Sequence, residues 1–340
     1  MRQTLRTFDG QPAGLAALQA RELAAALGGP ALIRIPGRQE PPLLVSVLLH
    51  GNETSGWDGV RRLLSEAAPL PRSLVLFIGN VHAAAAGVRT LPGQQDYNRI
   101  WQGADGAEGA LAAAVLEALG AGEVFASLDL HNNTGHNPHY AVLTHLTPDN
   151  LALAYLFDDK AVYVREPATV MTRALVSRGP AAALELGPIG DPRCDDRAFD
   201  IVKRCLALTR IPPADAGQMQ LFRSEARVHV TEDTPFSFVG DGIATPLLLT
   251  GGLEAVNFHE LATGTEFARS AGGLSTLRVL DVQHRDVTAD YFAADGDRIT
   301  LRAPVIPAMY TTDPAVVRQD CLCYFMERMS PLPPGSAHTE

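Results

Sequence analysis

His50 and Glu53, three residues apart at the end of an apolar run, are the first residues of this sequence whose types and spacing point to chemistry. Both side chains ligate hard or borderline metals. The run Leu43 to Leu49 leads into Leu48-Leu49-His50-Gly51-Asn52-Glu53, where Gly51 is expected to let the backbone turn sharply. Ligand sites of open α/β sheets lie at such carboxyl ends of strands. His-x-x-Glu also arises by chance, so the pair needs a third ligand before it means a metal centre. A second apolar run, Val124 to Leu130, ends in Asp129-Leu130-His131-Asn132-Asn133-Thr134, and a third, Ala181 to Leu186, ends in Glu185-Leu186-Gly187-Pro188. A catalytic zinc takes three protein ligands and keeps one position open for water. His50, Glu53 and His131 have the form of that set, for one zinc per chain. Asp129, two residues before His131 on the same face of a persisting strand, is placed to orient the ligand imidazole.

The elements that must position these residues alternate. Leu15 to Leu27 reads as a helix closed by Gly28-Gly29, Ala31 to Ile35 as a strand, Trp57 to Ala67 as a helix and Ser73 to Asn80 as a strand. That is the grammar of βαβ units. From His82 to Gly106 the pattern becomes a long loop containing Arg89 and Asp96-Tyr97-Asn98-Arg99, and long ordered loops tend to be functional. Helices are predicted at Ala107 to Leu119, Pro148 to Phe157, Val170 to Ser177 and Ala198 to Leu208, with strands at Tyr140 to Thr144 and Ala161 to Val164. Pro212-Pro213 marks a change of composition, which places a boundary near 215: a catalytic α/β domain over 1–215, a β-rich domain over 216–330 and a tail over 331–340. Strands of the second domain are predicted at Arg227 to Thr231, Pro246 to Thr250, Leu277 to Val282, Arg298 to Ala303 and Cys321 to Glu327.

The formal charge of −10 and the absence of any basic cluster larger than a doublet such as Arg61-Arg62 argue against nucleic acid as a partner. No run approaches the roughly 20 apolar residues that span a bilayer, so no membrane partner is expected. Cys194, Cys205, Cys321 and Cys323 lack the paired Cys-x-x-Cys spacing of a zinc ribbon and read as reduced thiols in the cytoplasm. His82, His136, His139 and His145 default to structural or solvent-facing roles, His259 lies among no recognisable ligand partners, and no Gly-x-Ser-x-Gly elbow or phosphate-cradling glycine loop is present.

His50-Gly51-Asn52-Glu53, Asp96-Tyr97-Asn98-Arg99, Asp129-Leu130-His131-Asn132-Asn133-Thr134 and Glu185-Leu186-Gly187 together resemble, in order and at similar spacing, the motifs of the succinylglutamate desuccinylase and aspartoacylase family, the deacylase branch of the zinc carboxypeptidase superfamily. The resemblance is strong over roughly residues 40 to 190. It implies a zinc-carboxypeptidase-like mixed sheet flanked by helices, with a smaller β-rich C-terminal domain covering the site. It implies that His50, Glu53 and His131 hold one zinc, that Glu185 is the general base and later acid, and that Arg89 stabilises the oxyanion. Asn98 and Arg99 would clamp a substrate carboxylate, with a second anchor among Arg165, Arg173 and Arg178. The implied partner is a small anionic N-acyl amino acid, cleaved at its amide bond; oligomeric state is open. The sequence departs from the family where Val81-His82 follow Gly79-Asn80 in place of the usual Pro-Arg, and in a longer spacing from Arg89 to Asn98, which points to a different acyl or amino-acid specificity. A carboxypeptidase or amidase acting on peptides and a non-catalytic metal- or ligand-binding protein are the alternatives.

Overall fold

A computed structural model describes residues 4–66, 69–215 and 217–330. The predicted tail, 331–340, and Ala67, the predicted end of a helix, lie outside the described residues. The chain forms two units, one of residues up to Asn133 with His139–Gln220, the other of Thr134–Pro138 with Leu221–Ser330.

The strands of the first unit are β1 (Arg6–Asp9), β2 (Ala31–Ile35), β3 (Leu43–Val47), β4 (Leu74–Ile78), β5 (Ala126–Asn133), β6 (Tyr140–Leu143), β7 (Lys160–Tyr163) and β8 (Ala181–Pro188). They pair in the order β1-β2-β4-β3-β5-β8-β6-β7. The middle four, β4, β3, β5 and β8, are parallel, whereas β2 and β6 run antiparallel to β4 and β8, so the sheet is mixed. Every residue of β3, β4 and β5 is buried; β3 and β4 accordingly read as near-continuous apolar runs, while β5 alternates, with Ser127, Asp129 and His131 on one face.

Helices cover the sheet. They are α1 (Leu23–Leu27), α2 (Ser55–Leu64), α3 (Val81–Ala86), α4 (Gly106–Leu119), α5 (Pro148–Phe157), α6 (Met171–Leu175) and α7 (Pro192–Ala207). Leu111 and Val115 of α4 and Met171 and Leu175 of α6 pack in one core with Leu44, Val75, Phe77 and Trp101. Helices α2 and α7 pack together elsewhere, and Gly59 makes that possible: a Cβ there would lie 2.5 Å from the Ala198 Cβ. Gly56 does the same between α2 and Leu130 of β5.

Three expectations change. Leu15 to Leu27 is not one helix: 3-10 turns at Leu15–Ala17 and Ala20–Glu22 precede α1, and Leu18 between them is extended. The Leu18 carbonyl at the break accepts from Trp57 Nε1 at 3.0 Å. The predicted loop after Asn80 holds α3, whose N-terminus is capped by the Asn80 side chain, and a 3-10 turn at Tyr97–Arg99. Finally, α7 starts six residues earlier than expected, at Pro192, because Asp191 accepts from the Arg193 N–H as a cap.

The second unit is β-rich. Its strands are β9 (Gln220–Val230), β10 (Phe236–Phe238), β11 (Leu247–Leu249), β12 (Glu266–Ser270), β13 (Leu277–Asp281), β14 (Phe292–Asp295), β15 (Arg298–Leu301), β16 (Ile306–Ala308) and β17 (Cys323–Arg328). Strand β9 pairs with β13 and β17, and β17 with β16; the other five form a sheet in the order β10-β11-β12-β15-β14. Phe267 packs against Phe292, Tyr310 and Phe325 at the centre of its core.

Candidate metal centre and active site

Leu48 follows the last residue of β3 and has a φ of 58°, a left-handed conformation that is uncommon for a residue with a Cβ. This residue redirects the chain just before His50, and the expected turn at Gly51 follows, closed by the Glu53 N–H donating to the His50 carbonyl at 3.2 Å. Gly51 is needed for a further reason, since a Cβ there would lie 2.2 Å from the Ala84 nitrogen of α3. Its N–H donates to the Arg89 carbonyl at 3.0 Å, which ties the His50 turn to the segment carrying Arg89.

From that turn, His50 and Glu53 meet His131, which lies on the adjacent parallel strand β5. One ligand atom of each of the three residues lies within 4.8 Å of the others, and all three side chains are buried. The Nδ1 atoms of both imidazoles turn onto Glu53, His50 to Oε1 at 2.8 Å and His131 to Oε2 at 2.9 Å. Their Nε2 atoms turn outward onto acids, His50 to Asp96 at 3.0 Å and His131 to Asp129 at 2.9 Å. Two imidazole nitrogens and a carboxylate converging on one point, with each outer nitrogen tied to a carboxylate, are the donor set and the support that a divalent metal takes. The residues present fit such an ion.

The electrostatics follow from that arrangement. Burial and the Arg89 charge pull the His50 pKa down, but Glu53 and Asp96 more than offset them and hold it above the ordinary value. Burial also opposes the charged form of His131, yet Asp129 and Glu53 raise its pKa well above normal. Glu53 and Asp96, despite burial, are held far below the usual carboxylate range by the cations around them.

Glu185 is different. It sits on β8 in register with His131, 8 % exposed, and its Oε2 has no hydrogen-bond partner among the described residues. Burial pushes its pKa up to about 7, the Glu53 charge adds to this, and His131 pulls the other way. A carboxyl group poised near neutrality can both accept and return a proton.

The remaining site candidates are distributed unevenly. Arg89 reaches Glu53 at 3.3 Å and Asp96 at 3.0 Å, so its charge stands beside the cluster. Asn98 approaches His131 Nε2 with its Nδ2 at 3.4 Å while its Oδ1 accepts from the Met171 N–H of α6. Arg99 Nη1 donates to the Asn98 carbonyl. Arg178 donates to the Leu116 carbonyl of α4, and Arg173 of α6 to the Arg165 carbonyl. His139 pairs with Asp158, and His145 with Thr144.

Two functional supports had no role in the sequence reading. Asp96 is the hub of the loop: besides His50 and Arg89, it accepts from the Asn98 N–H at 2.7 Å. Its place in the Asp-Tyr-Asn-Arg segment marks it, but nothing local shows that it reaches back to His50. Asn80 and Gln94 pair through their carboxamides, and Gln94 also accepts from the Leu91 N–H, fixing the segment between Arg89 and Asp96. Asp96→Asn is expected to weaken metal binding about 10- to 100-fold, as loss of such a partner does elsewhere, measured by competition with a chromogenic chelator. Unchanged affinity would deny Asp96 its orienting role.

A mixed α/β sheet whose central parallel strands end in a buried imidazole–carboxylate cluster, with a buried carboxyl group in register on the next strand, defines an α/β protein with a candidate metal centre. The chain belongs to the succinylglutamate desuccinylase/aspartoacylase family, whose catalytic domain matches residues 39–208, half of the sequence. Solved structures share the fold. A succinylglutamate desuccinylase from Chromobacterium violaceum aligns with a TM-score of 0.56 at 19% identity over 87% of each chain. A mutant of murine aminoacylase 3 aligns with a TM-score of 0.55 at 17% identity over 86% of this chain and 96% of its own. A succinylglutamate desuccinylase/aspartoacylase from Rhodobacter sphaeroides gives 0.56 at 16% over 87% and 88%. No curated protein sequence matches the chain at a significant level. Among the described residues no helix is long and apolar enough to cross a membrane, and all four cysteines are buried and free.

Proposed function

We propose that the protein is a zinc-dependent amidohydrolase that cleaves a small N-acyl amino acid into a carboxylic acid and a free amine. The observation that carries this reading is Glu185: a buried carboxyl group with a free oxygen, its pKa at about 7, in register with His131 of the cluster. A structural carboxylate at that depth would be paired. His50, Glu53 and His131 would hold the zinc, which when bound supplies Lewis acidity and hydroxide at neutral pH.

The chain's own residues supply the rest. Glu185 takes a proton from water as the water oxygen adds to the acyl carbon, and returns it to the amine nitrogen as the C–N bond breaks. Arg89, fixed between Glu53 and Asp96, holds positive charge where the carbonyl oxygen gains negative charge. Arg99 offers the guanidinium fork that matches a carboxylate, and Asn98 the hydrogens of its Nδ2 amide. Of the three other arginines, Arg173 is the second anchor this connectivity favours, since Asn98 is bonded to the first residue of its helix, whereas Arg178 is turned to α4.

The test is hydrolysis of N-acetyl, N-succinyl and N-formyl amino acids by the zinc-loaded protein, with metal content measured alongside. Turnover of at least one class with about one zinc per chain is expected. Activity on C-terminal residues of peptides, with none on N-acyl amino acids, would replace the deacylase reading by a carboxypeptidase.

A further inference from the structure

The two neighbouring asparagines at the end of β5 are treated differently by the fold. Asn132 is fully used: its Oδ1 accepts from the Ser55 N–H at 3.2 Å, and its Nδ2 donates to Ser55 Oγ at 3.2 Å and to the Gly187 carbonyl at 3.1 Å. Asn133 is as deeply buried, at 2 % exposure, yet neither its Oδ1 nor its Nδ2 has a hydrogen-bond partner among the described residues. A carboxamide that served only packing would be bonded, or would be replaced without loss by an apolar side chain of the same shape.

Its direction is set by the strand. Successive side chains of a strand alternate, so Asp129, His131 and Asn133 share one face, and the contact from Asp129 to His131 shows that face to be the one carrying the cluster. The register shift beyond this point lies in β8, where His131 pairs with Glu185 but Asn133 with Pro188, so the extra residue is in β8 and β5 keeps its alternation. Asn133 thus stands one alternation beyond His131, about 7 Å further along the strand towards its carboxyl end.

We propose that Asn133 is a specificity residue that hydrogen-bonds the substrate, a reading that rests on the deacylase function proposed above. With one donor group and one acceptor unmet, it selects a substrate bearing a hydroxyl or a carboxamide, which gives and takes a hydrogen bond. A carboxylate meets only the donor and sets its charge against Oδ1. A hydrocarbon meets neither.

The test uses isosteric substrate pairs that place the polar group on either side of the scissile bond: N-acetylasparagine against N-acetylleucine, and N-glycoloyl against N-propionyl derivatives of one amino acid. The zinc-loaded wild-type protein is expected to prefer the polar member of at least one pair by about tenfold or more in kcat/KM. Asn133→Leu is expected to abolish that preference while its unfolding temperature holds or rises by about 2 °C, because an unmet buried amide has been removed. Asn133→Ala, which adds no bulk, must lose the same preference even if the leucine variant fails to fold. Wild-type turnover without a preference in either pair, or a preference that survives both substitutions, overturns the proposal. If the wild-type protein hydrolyses no N-acyl amino acid at all, the functional reading fails first and this one falls with it.

Discussion

Glu185→Gln is expected to lower kcat by about 10²- to 10⁴-fold with zinc content unchanged, the range typical for loss of a general base. Glutamine keeps the shape of the side chain and cannot take a proton from water or return one to an amine. Glu185 is not a member of the His50, Glu53 and His131 set, so metal content should report an intact centre. It also removes a titratable group from a site where burial holds the carboxyl pKa at about 7, so the folded protein should be no less stable near neutral pH. Steady-state kinetics on the substrate found in the acyl amino acid screen, with metal analysis of the same sample, decide the matter. A variant that keeps both its zinc and its turnover would show that Glu185 is an unpaired structural acid.

Glu53→Ala is expected to have the largest effect on the site itself. The carboxylate bridges both imidazoles through separate oxygens and accepts from the Asn132 N–H at 3.2 Å. Its removal deletes one of the three proposed metal ligands and leaves each buried imidazole with only its outer carboxylate, Asp96 for His50 and Asp129 for His131. Breaking a buried ion pair by removing one partner costs about 3–5 kcal/mol. The variant should therefore purify without zinc, and its metal-stripped form should unfold at markedly lower urea than metal-stripped wild type. His50→Ala and His131→Ala should also lose zinc. Zinc retained at wild-type affinity in any of the three would remove that residue from the ligand set.

The sequence by itself determined a good deal of this protein. Short apolar runs alternating with helical stretches read as the strands of βαβ units, so β3, β4, β5 and β8 and the polar residues at their ends were legible. With the strand ends known, His50, Glu53, His131 and Glu185 could be expected along one edge of one sheet, and the pairing of β3 with β5 and of β5 with β8 puts them there. Strand alternation also placed Asp129 on the face of His131, and the structure adds their contact at 2.9 Å.

Only the tertiary structure decided the rest, because it depends on contacts distant along the chain. The turn before His50 falls on Leu48, a residue with no local preference for a positive φ, while Gly51 is required by the approach of α3. The helix expected over Leu15 to Leu27 is broken at Leu18, whose carbonyl accepts from Trp57 Nε1, 39 residues away. Asp96 reaches back 46 residues to His50, a distance at which no sequence pattern connects the two. Asn132 and Asn133 are identical letters side by side; that one is fully bonded and the other is buried with nothing to bond depends on which neighbours the sheet brings to each face.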